Sequence, residues 1–142
     1  MITLGTMIKA SNRGIFSVNS QQTVLEALQF MADKNIGAVL VIDDDALVGI
    51  FSERDYARKV ILSGRSSQNT LVREVMVSKL ITVQAQEPLD RCMQLMTDHR
   101  IRHLPVFDGD RLIGVISIGD VVRQMITEQR QLIEQLEAYI RG

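Results

Sequence analysis

The 142-residue chain contains few cysteine, histidine and aromatic residues, and each shortage argues against a class of protein or of functional site. A single cysteine, Cys92, cannot form an internal disulfide, which favours a reducing, cytoplasmic location. No apolar run approaches the roughly 20 residues needed to span a bilayer, and residues 1–10 lack the pattern of a signal peptide. Aromatic residues make up 4%, and 16 basic against 17 acidic side chains leave a net charge of −1. We therefore expect neither nucleic acid nor a membrane as a partner.

Residues that could bind a metal or act as a nucleophile are also few. His99, His103 and Cys92 are too few for a structural zinc site, so no metal is expected. No glycine-rich loop followed by lysine is present. Cys92 falls on an apolar helical stripe without an adjacent base, which is typical of a buried, inert thiol. The sequence predicts a protein that is not an enzyme and has no catalytic cofactor, and a nucleotide hydrolase is kept as an alternative.

What the chain does contain is an internal repeat. Residues 16–61 align without gaps on residues 81–126, and 15 of the 46 aligned positions are identical. Two copies are too few for a solenoid, which usually needs about three units. We therefore expect a closed pair with pseudo-two-fold symmetry.

Each copy carries the same order of local signals. A short strand (16–18 or 81–83) precedes a helix with apolar residues at three-to-four spacing, and Pro88 is expected at the first helical position of the second copy. Two strands joined by an acidic hairpin turn follow, over 38–42 and 47–51 or over 104–107 and 112–116, and then a final helix. The pattern predicts a mixed α/β (α+β) fold, a tandem pair of β-α-β-β-α repeats with helices covering one face of each sheet.

The expected boundaries follow from the repeat. They are 5–62 for the first repeat, 63–71 for a polar linker, 72–126 for the second repeat and 127–142 for a C-terminal helix extension. Short helices around Met7 and Ile8, and around Val72, Val75 and Met76, are expected to lead into the first and second repeats.

The repeat carries a chemical signal where an apolar strand ends and the last helix begins. Ser52 and Asp55 in the first copy, and Ser117 and Asp120 in the second, lie three residues apart. Both side chains can therefore project from the first helical turn, where unpaired N–H groups carry partial positive charge. A carboxylate there can accept hydrogen bonds from the two adjacent hydroxyls of a ribose. The same Ser-x-x-Asp spacing is also a helix-capping box that binds nothing, and the two roles are compatible.

The motif Gly49-Ile50-Phe51-Ser52-Glu53-Arg54-Asp55, its second copy Gly114-Val115-Ile116-Ser117-Ile118-Gly119-Asp120 and the repeat order resemble the cystathionine β-synthase (CBS) domain pair, or Bateman module. The resemblance covers about residues 5–126 and looks closest to stand-alone bacterial CBS-pair proteins. It implies a non-catalytic sensor of energy or redox state that binds an adenine nucleotide (AMP, ADP, ATP or NAD(H)) in the cleft between the repeats. A structural dimerisation or adaptor module with unoccupied pockets is the alternative.

The resemblance also implies which residues contact the nucleotide. Asp55 and Asp120 would hold the ribose, and Ser52 and Ser117 would assist at the ribose or phosphate. The base would lie against backbone and apolar strand ends of each copy, namely Phe16, Ser17, Val18, Gly37 and Ala38 in one site, and Ile81, Thr82, Val83, Leu104, Pro105 and Ile116 in the other.

Phosphate is expected to meet different basic residues in the two copies. Arg102 and His103 precede the second copy's strand, where the first copy has the uncharged Gly37 and Ala38. On the motif helix the first copy instead carries Arg54, Arg58 and Lys59, where the second has Gly119, Arg123 and Gln124. We therefore expect two inequivalent sites, with arginine well suited to bidentate phosphate contacts. A solvated basic face is the alternative for the helix residues.

Residues 127–142 have no counterpart in the first repeat. The final helix continues through them with apolar residues at three-to-four spacing, interrupted by Gln129. A helix of about 20 residues is ~30 Å long, too long for one repeat to bury. We expect its apolar stripe to contact a second copy in a homodimer, and an unidentified effector protein or its own domain are the alternatives.

Overall fold

The computed structural model of the protein describes residues 2–11 and 14–142. These residues form two compact units. One comprises Ile15–Leu80, and the other joins the N-terminal segment to Ile81–Gly142.

The elements follow one another in an order that repeats. The chain forms α1 (Leu4–Ser11), β1 (Ser17–Val18), α2 (Val24–Lys34), β2 (Ala38–Asp43), β3 (Ala46–Ser52), α3 (Glu53–Tyr56) with a π-helical turn (Ala57–Ile61), α4 (Val72–Val75), β4 (Val83–Gln84), α5 (Leu89–His99), β5 (His103–Asp108), β6 (Arg111–Ser117) and α6 (Ile118–Arg141). The predicted α+β fold of tandem repeats is confirmed.

Each unit is built on a three-stranded sheet with the same topology. The strand orders are β1-β2-β3 and β4-β5-β6, with a parallel first pair and an antiparallel hairpin. The hairpin registers match, since Ala38 lies opposite Ser52 in one sheet and His103 opposite Ser117 in the other. The register also shifts at equivalent places, after Val41 and after Val106. The sequence repeat is therefore a repeat of backbone geometry.

Most element boundaries lie within a residue or two of the sequence prediction, and two of the differences have local reasons. Strand β4 begins at Val83, whereas its counterpart begins at Ser17, which pairs with Leu40. Pro105 occupies the position equivalent to Leu40 and has no backbone N–H to donate, so pairing starts one residue later. Pro88, expected as the first helical residue, is the N-cap of α5 with an extended ψ of 158°.

The two short lead-in helices are confirmed, but each packs in the unit that holds the other repeat. Leu4 of α1 is fully buried in the core with Val106 and Ile116, and the Gly5 N–H donates to the Ala85 carbonyl over 3.2 Å. Val72 and Val75 of α4 are buried in the first repeat's core. Sequence periodicity marks a face to be buried but does not say against which repeat it lies.

Each unit has a separate apolar core. The core of Ile15–Leu80 contains Val18, Val24, Ala27, Met31, Val39, Val41, Phe51, Val60, Val72 and Val75. The core of the other unit contains Leu4, Val83, Ala85, Leu89, Cys92, Met96, Leu104, Val106, Ile116 and Val121. Equivalent positions of the two repeats thus form equivalent cores.

The glycines at equivalent positions of β3 and β6 allow a stability prediction. A Cβ at Gly49 would approach the Val77 carbonyl to 3.0 Å and Met76 Sδ to 2.6 Å, and Val77 is held by paired backbone hydrogen bonds to Ile50. A Cβ at Gly114 would meet only the side chain of Ile8. We expect Gly49→Ala to lower the free energy of unfolding by about 1–3 kcal/mol, because backbone cannot move aside as a side chain can.

Gly114→Ala is the matched control and should cost less. Urea denaturation of both variants measures the difference. An equal or larger loss for Gly114→Ala would contradict this account of the β3 contact.

Candidate functional site

The candidate site in each unit begins at the junction between the hairpin and the motif helix. Ser52 ends β3 and caps α3, and Ser117 ends β6 and caps α6. Both serines have extended backbones, with φ/ψ of −127°/163° and −98°/161°. The chain turns from strand to helix at the cap, so the first helical turn stands at the end of the sheet.

The aspartate three residues later completes a capping box in both units. Ser52 Oγ accepts from the Asp55 N–H at 3.2 Å, and the Ser52 N–H donates to Asp55 Oδ2 at 3.0 Å. The Ser117 N–H likewise donates to Asp120 Oδ2 at 2.9 Å, and Ser117 Oγ accepts from the Asp120 N–H at 3.1 Å. Each aspartate side chain is only 12% exposed. The capping role that the sequence allowed is therefore present in both copies.

The second oxygen of each carboxylate contacts a cation from the next helical turn. Lys59 Nζ lies 3.2 Å from Asp55 Oδ1, and Arg123 Nη2 lies 2.7 Å from Asp120 Oδ1. Lys59 also donates to the Val75 carbonyl at 3.0 Å. Sequence reasoning did not foresee these two ion pairs. Their spacings of four and three residues along a helix are the signal that could have revealed them.

The start of the middle strand lies beside each capping box. The Glu53 N–H donates to the Gly37 carbonyl at 3.0 Å, and the Ile118 N–H donates to the Arg102 carbonyl at 2.8 Å. Ala38 also pairs with Ser52, and His103 pairs with Ser117. In each repeat, several predicted site residues therefore lie close to the aspartate of the capping box.

Six of the apolar members of the predicted site have buried side chains. They are Val18, Ala38, Val83, Leu104, Pro105 and Ile116. A ligand at these positions would meet backbone rather than side chains. Ser17 and Val18 pair with Leu40 and Val41, two and three residues along β2 from Ala38, so β1 contributes the more distant edge of the site.

The remaining predicted residues are more accessible. Ile81 is half-buried against the core, whereas Thr82 is exposed. Phe16 packs edge-on against Phe30 with ring centroids 6.2 Å apart, and Lys34 Nζ lies 5.4 Å from the Phe16 ring centre. The Phe16 ring therefore has partners within its own unit.

The predicted phosphate-binding arginines are exposed. Arg54 and Arg58 lie on the motif helix of the first repeat, and Arg102 precedes β5 in the second. A Cβ at Gly119 would lie 3.4 Å from Arg123 Nη1, so the glycine leaves Arg123 room to fold back to Asp120. The exposed arginines of the two repeats thus lie on different elements, and their contact with phosphate stays a prediction.

The part of the chain that the structure describes lacks the residue clusters of a metal site and a helix that could span a membrane. Within residues 2–11 and 14–142, no three His, Cys, Asp or Glu side chains cluster as metal ligands. Asp43 in the acidic turn accepts from the Ser20 N–H at 2.9 Å and from Ser20 Oγ, and these bonds lower its carboxyl pKa. None of the helices in the described ranges is long and apolar enough to cross a membrane.

Comparison with known proteins assigns the architecture to a family. The family sequence model of the CBS domain matches residues 7–61 and 72–127. The chain belongs to the CBS domain family. Its two CBS domains form a CBS pair, which is a regulatory module.

Relatives of this CBS pair come from plants and bacteria. The mitochondrial CBS domain-containing protein CBSX3 of Arabidopsis thaliana is 47% identical over 128 residues, which cover 87% of this chain and 62% of that longer protein. The solved structure of a protein with CBS domains from Burkholderia ambifaria has a TM-score of 0.85 and 50% identity, covering 89% of this chain and 96% of that one.

A third CBS pair was solved with small molecules bound. That structure contains 5′-methylthioadenosine and S-adenosyl-L-methionine, with a TM-score of 0.69 and 27% identity, and covers 80% of this chain and 90% of that one. Both molecules contain an adenosine moiety.

The thiol of this CBS pair gives a chemical prediction. Cys92 is fully buried, and burial raises the pKa of its thiol to about 11. The folded protein should therefore resist iodoacetamide at pH 8, because almost none of the thiol is ionised and the reagent cannot reach it. Mass spectrometry should detect alkylation only after unfolding in urea.

Ser63→Cys provides an exposed comparison thiol, which should be modified at pH 8 in the folded state. Rapid modification of Cys92 in the native protein would contradict the buried, protonated state.

Proposed function

We propose that this CBS pair is a non-catalytic cytoplasmic sensor that binds an adenine nucleotide, such as AMP, ADP, ATP or NAD(H). The observation that carries the proposal is the repeated placement of a mostly buried carboxylate at a helix start beside the end of a sheet. The family, and adenosine-containing molecules in a related CBS pair, support an adenosine ligand.

The ribose would bind at the outer oxygen of each carboxylate. Oδ2 of Asp55 already accepts hydrogen bonds from the Ser52 N–H and hydroxyl, whereas Oδ1 contacts Lys59. A carboxylate oxygen has two lone pairs, so Oδ1 can accept from a ribose hydroxyl while it remains near the cation. The cap holds the carboxylate in place, so little side-chain freedom is lost when the sugar binds.

Phosphate groups would meet the exposed arginines. Arg102 in the second repeat, and Arg54 and Arg58 in the first, offer planar guanidinium groups that suit phosphate oxygens. His103 begins β5 beside Ser117 and would assist in the second site. Since the two sets differ, the repeats would bind with unequal affinity or prefer different numbers of phosphates.

Sensing requires that the ligand bind one state of the protein more tightly than another. A nucleotide that engages the start of α6 contacts the same helix that carries the C-terminal extension. The energy or redox state of the cell would then be reported through the ligand-bound fraction, without chemical turnover.

One observation favours a different function, a structural adaptor with unoccupied sites. Both carboxylates have hydrogen-bond partners and a cation within their own repeat. A capping box alone stabilises a helix by about 1 kcal/mol and is sufficient reason to have the motif. Binding measurements separate the two functions.

The central prediction concerns Asp55→Asn together with Asp120→Asn. The wild type should be stabilised by AMP, ATP, NAD(H) or S-adenosylmethionine, by about 2.7 kcal/mol at 100 times the dissociation constant. The double variant should lose this response, because an amide carries no charge and its NH2 group repels a hydroxyl donor. Thermal melting with and without each ligand measures the effect.

Glu26→Gln is the matched control. Glu26 forms the same capping box with Thr23 at the start of α2, outside the predicted site. This variant should keep the full ligand response. If no ligand stabilises the wild type, or if the double variant responds like Glu26→Gln, the adaptor function is favoured.

A second prediction tests the phosphate contact. Arg102→Ala should weaken binding of ATP by about tenfold or more, corresponding to roughly 1.5–3 kcal/mol for a charged hydrogen bond, and should leave adenosine binding unchanged. Isothermal titration calorimetry with both ligands measures the ratio. Arg91→Ala removes another exposed arginine, on α5, and should change neither affinity. Equal losses for ATP and adenosine would assign Arg102 a structural role.

A further inference from the structure

The C-terminal half of α6 presents an uncovered apolar face. The first half packs on its own unit through the buried Val121 and the half-buried Met125, and Glu128 Oε1 accepts from the Ile2 N–H at 3.2 Å. From Gln129 onward every residue of the helix is exposed. Five large apolar side chains in this segment are between 53% and 85% exposed: Leu132, Ile133, Leu136, Tyr139 and Ile140.

These side chains lie on one side of the helix. At about 100° per residue they fall within an arc of about 120° centred on Leu136. Charged residues begin at the flank of this face beside Ile133, with Arg130 and Glu137, and continue round the helix with Glu134 and Arg141. Such segregation is typical of a helix that buries one face, and an apolar stripe of this size is rarely left in water.

We propose that this face pairs with the same face of a second copy, the two helices running antiparallel with Ile133 of each opposite Leu136 of the other. In this register Gln129 lies opposite Ile140, so the exposed segments 129–140 overlap along their whole length of about 18 Å. Leu132 then lies near Tyr139 of the partner. The apolar side chains of residues 129–140 therefore cover one another, whereas the exposed Val122 and Ile126 of the same helix lie outside this overlap.

Charge complementarity favours this direction. Arg130 and Glu137 lie two turns apart on the same flank of the apolar face, next to Ile133. In an antiparallel pair identical flanks meet, which brings each Arg130 near Glu137 of the partner, twice by symmetry. In a parallel pair this flank would meet the other flank, which carries the uncharged Gln131 and Gln135 over the exposed segment.

The segment needs no separate nucleation to form this contact. An isolated helix of 12 residues is marginal in water, but residues 129–140 continue a helix whose first half is packed. The interface is thus helical before the partner arrives. The pairing does not rest on nucleotide binding.

Engineered cysteines test the pairing and its direction. The double variant Gln129→Cys, Ile140→Cys should form covalent dimers under mild oxidation, because these positions face each other across the pair. Neither single variant should do so, since each new thiol lies about 16 Å from its own copy in the partner. Cys92 is buried and does not compete. Ser63→Cys places a thiol at an exposed position outside residues 129–140, and its rate of cross-linking measures random collision between molecules.

Charge reversal tests the register. In the double-cysteine background, Arg130→Glu or Glu137→Arg should each slow cross-linking roughly three-fold or more, and the combination should restore the rate. Circular dichroism checks that the helix is intact. Cross-linking no faster than Ser63→Cys, cross-linking of the single variants as expected for a parallel pair, or failure of the combined reversal to restore the rate would overturn the proposal.

Discussion

The reciprocal hydrogen bonds between a strand-ending serine and the aspartate three residues later fix how the last helix of each repeat leaves its sheet. The serine hydroxyl accepts from the aspartate N–H, and the carboxylate accepts from the serine N–H. The bonds form only if the strand ends extended and the helix begins at once, so they fix the helix start at the end of the strand. The pairing of Ala38 with Ser52 and of His103 with Ser117 places the start of the middle strand beside this junction in both repeats.

The two oxygens of each carboxylate have different partners. Oδ2 serves the cap, and Oδ1 faces a cation from the next turn, Lys59 in one repeat and Arg123 in the other. Folding therefore holds the second oxygen of each carboxylate in a defined position beside a cation. In the proposed function, the residue that caps the helix would also contact the ligand.

The two repeats differ in structure after this junction. In the first repeat the motif helix passes into a π-helical turn and the chain turns at Gly64, with φ of 71°. In the second repeat α6 continues to Arg141. One helix thus joins the capping box around Asp120 to an exposed apolar face whose centre, at Leu136, lies about 24 Å away along its axis, at about 1.5 Å per residue. The first repeat has no comparable extension.

The repeat, the hairpins and the capping boxes could be predicted from the sequence, because each depends on residues close together in the chain. A short apolar run bounded by a turn specifies a strand, three-to-four spacing specifies a helix, and Ser-x-x-Asp specifies a helix start. Two matched copies made these local signals reliable, so the strands around Val41 and Val106 and the long final helix were found within a residue or two. The candidate carboxylates were identified in the same way.

Only the tertiary structure decided which surfaces meet. An apolar stripe such as that of α1 or α4 has the same energy of transfer from water whichever core receives it, so the sequence did not reveal that Leu4 packs with the second repeat and Val72 with the first. The late start of β4 required knowing that Pro105 stands beside it. The hydrophobic effect has no direction, and partners distant in the chain are chosen by the fold as a whole.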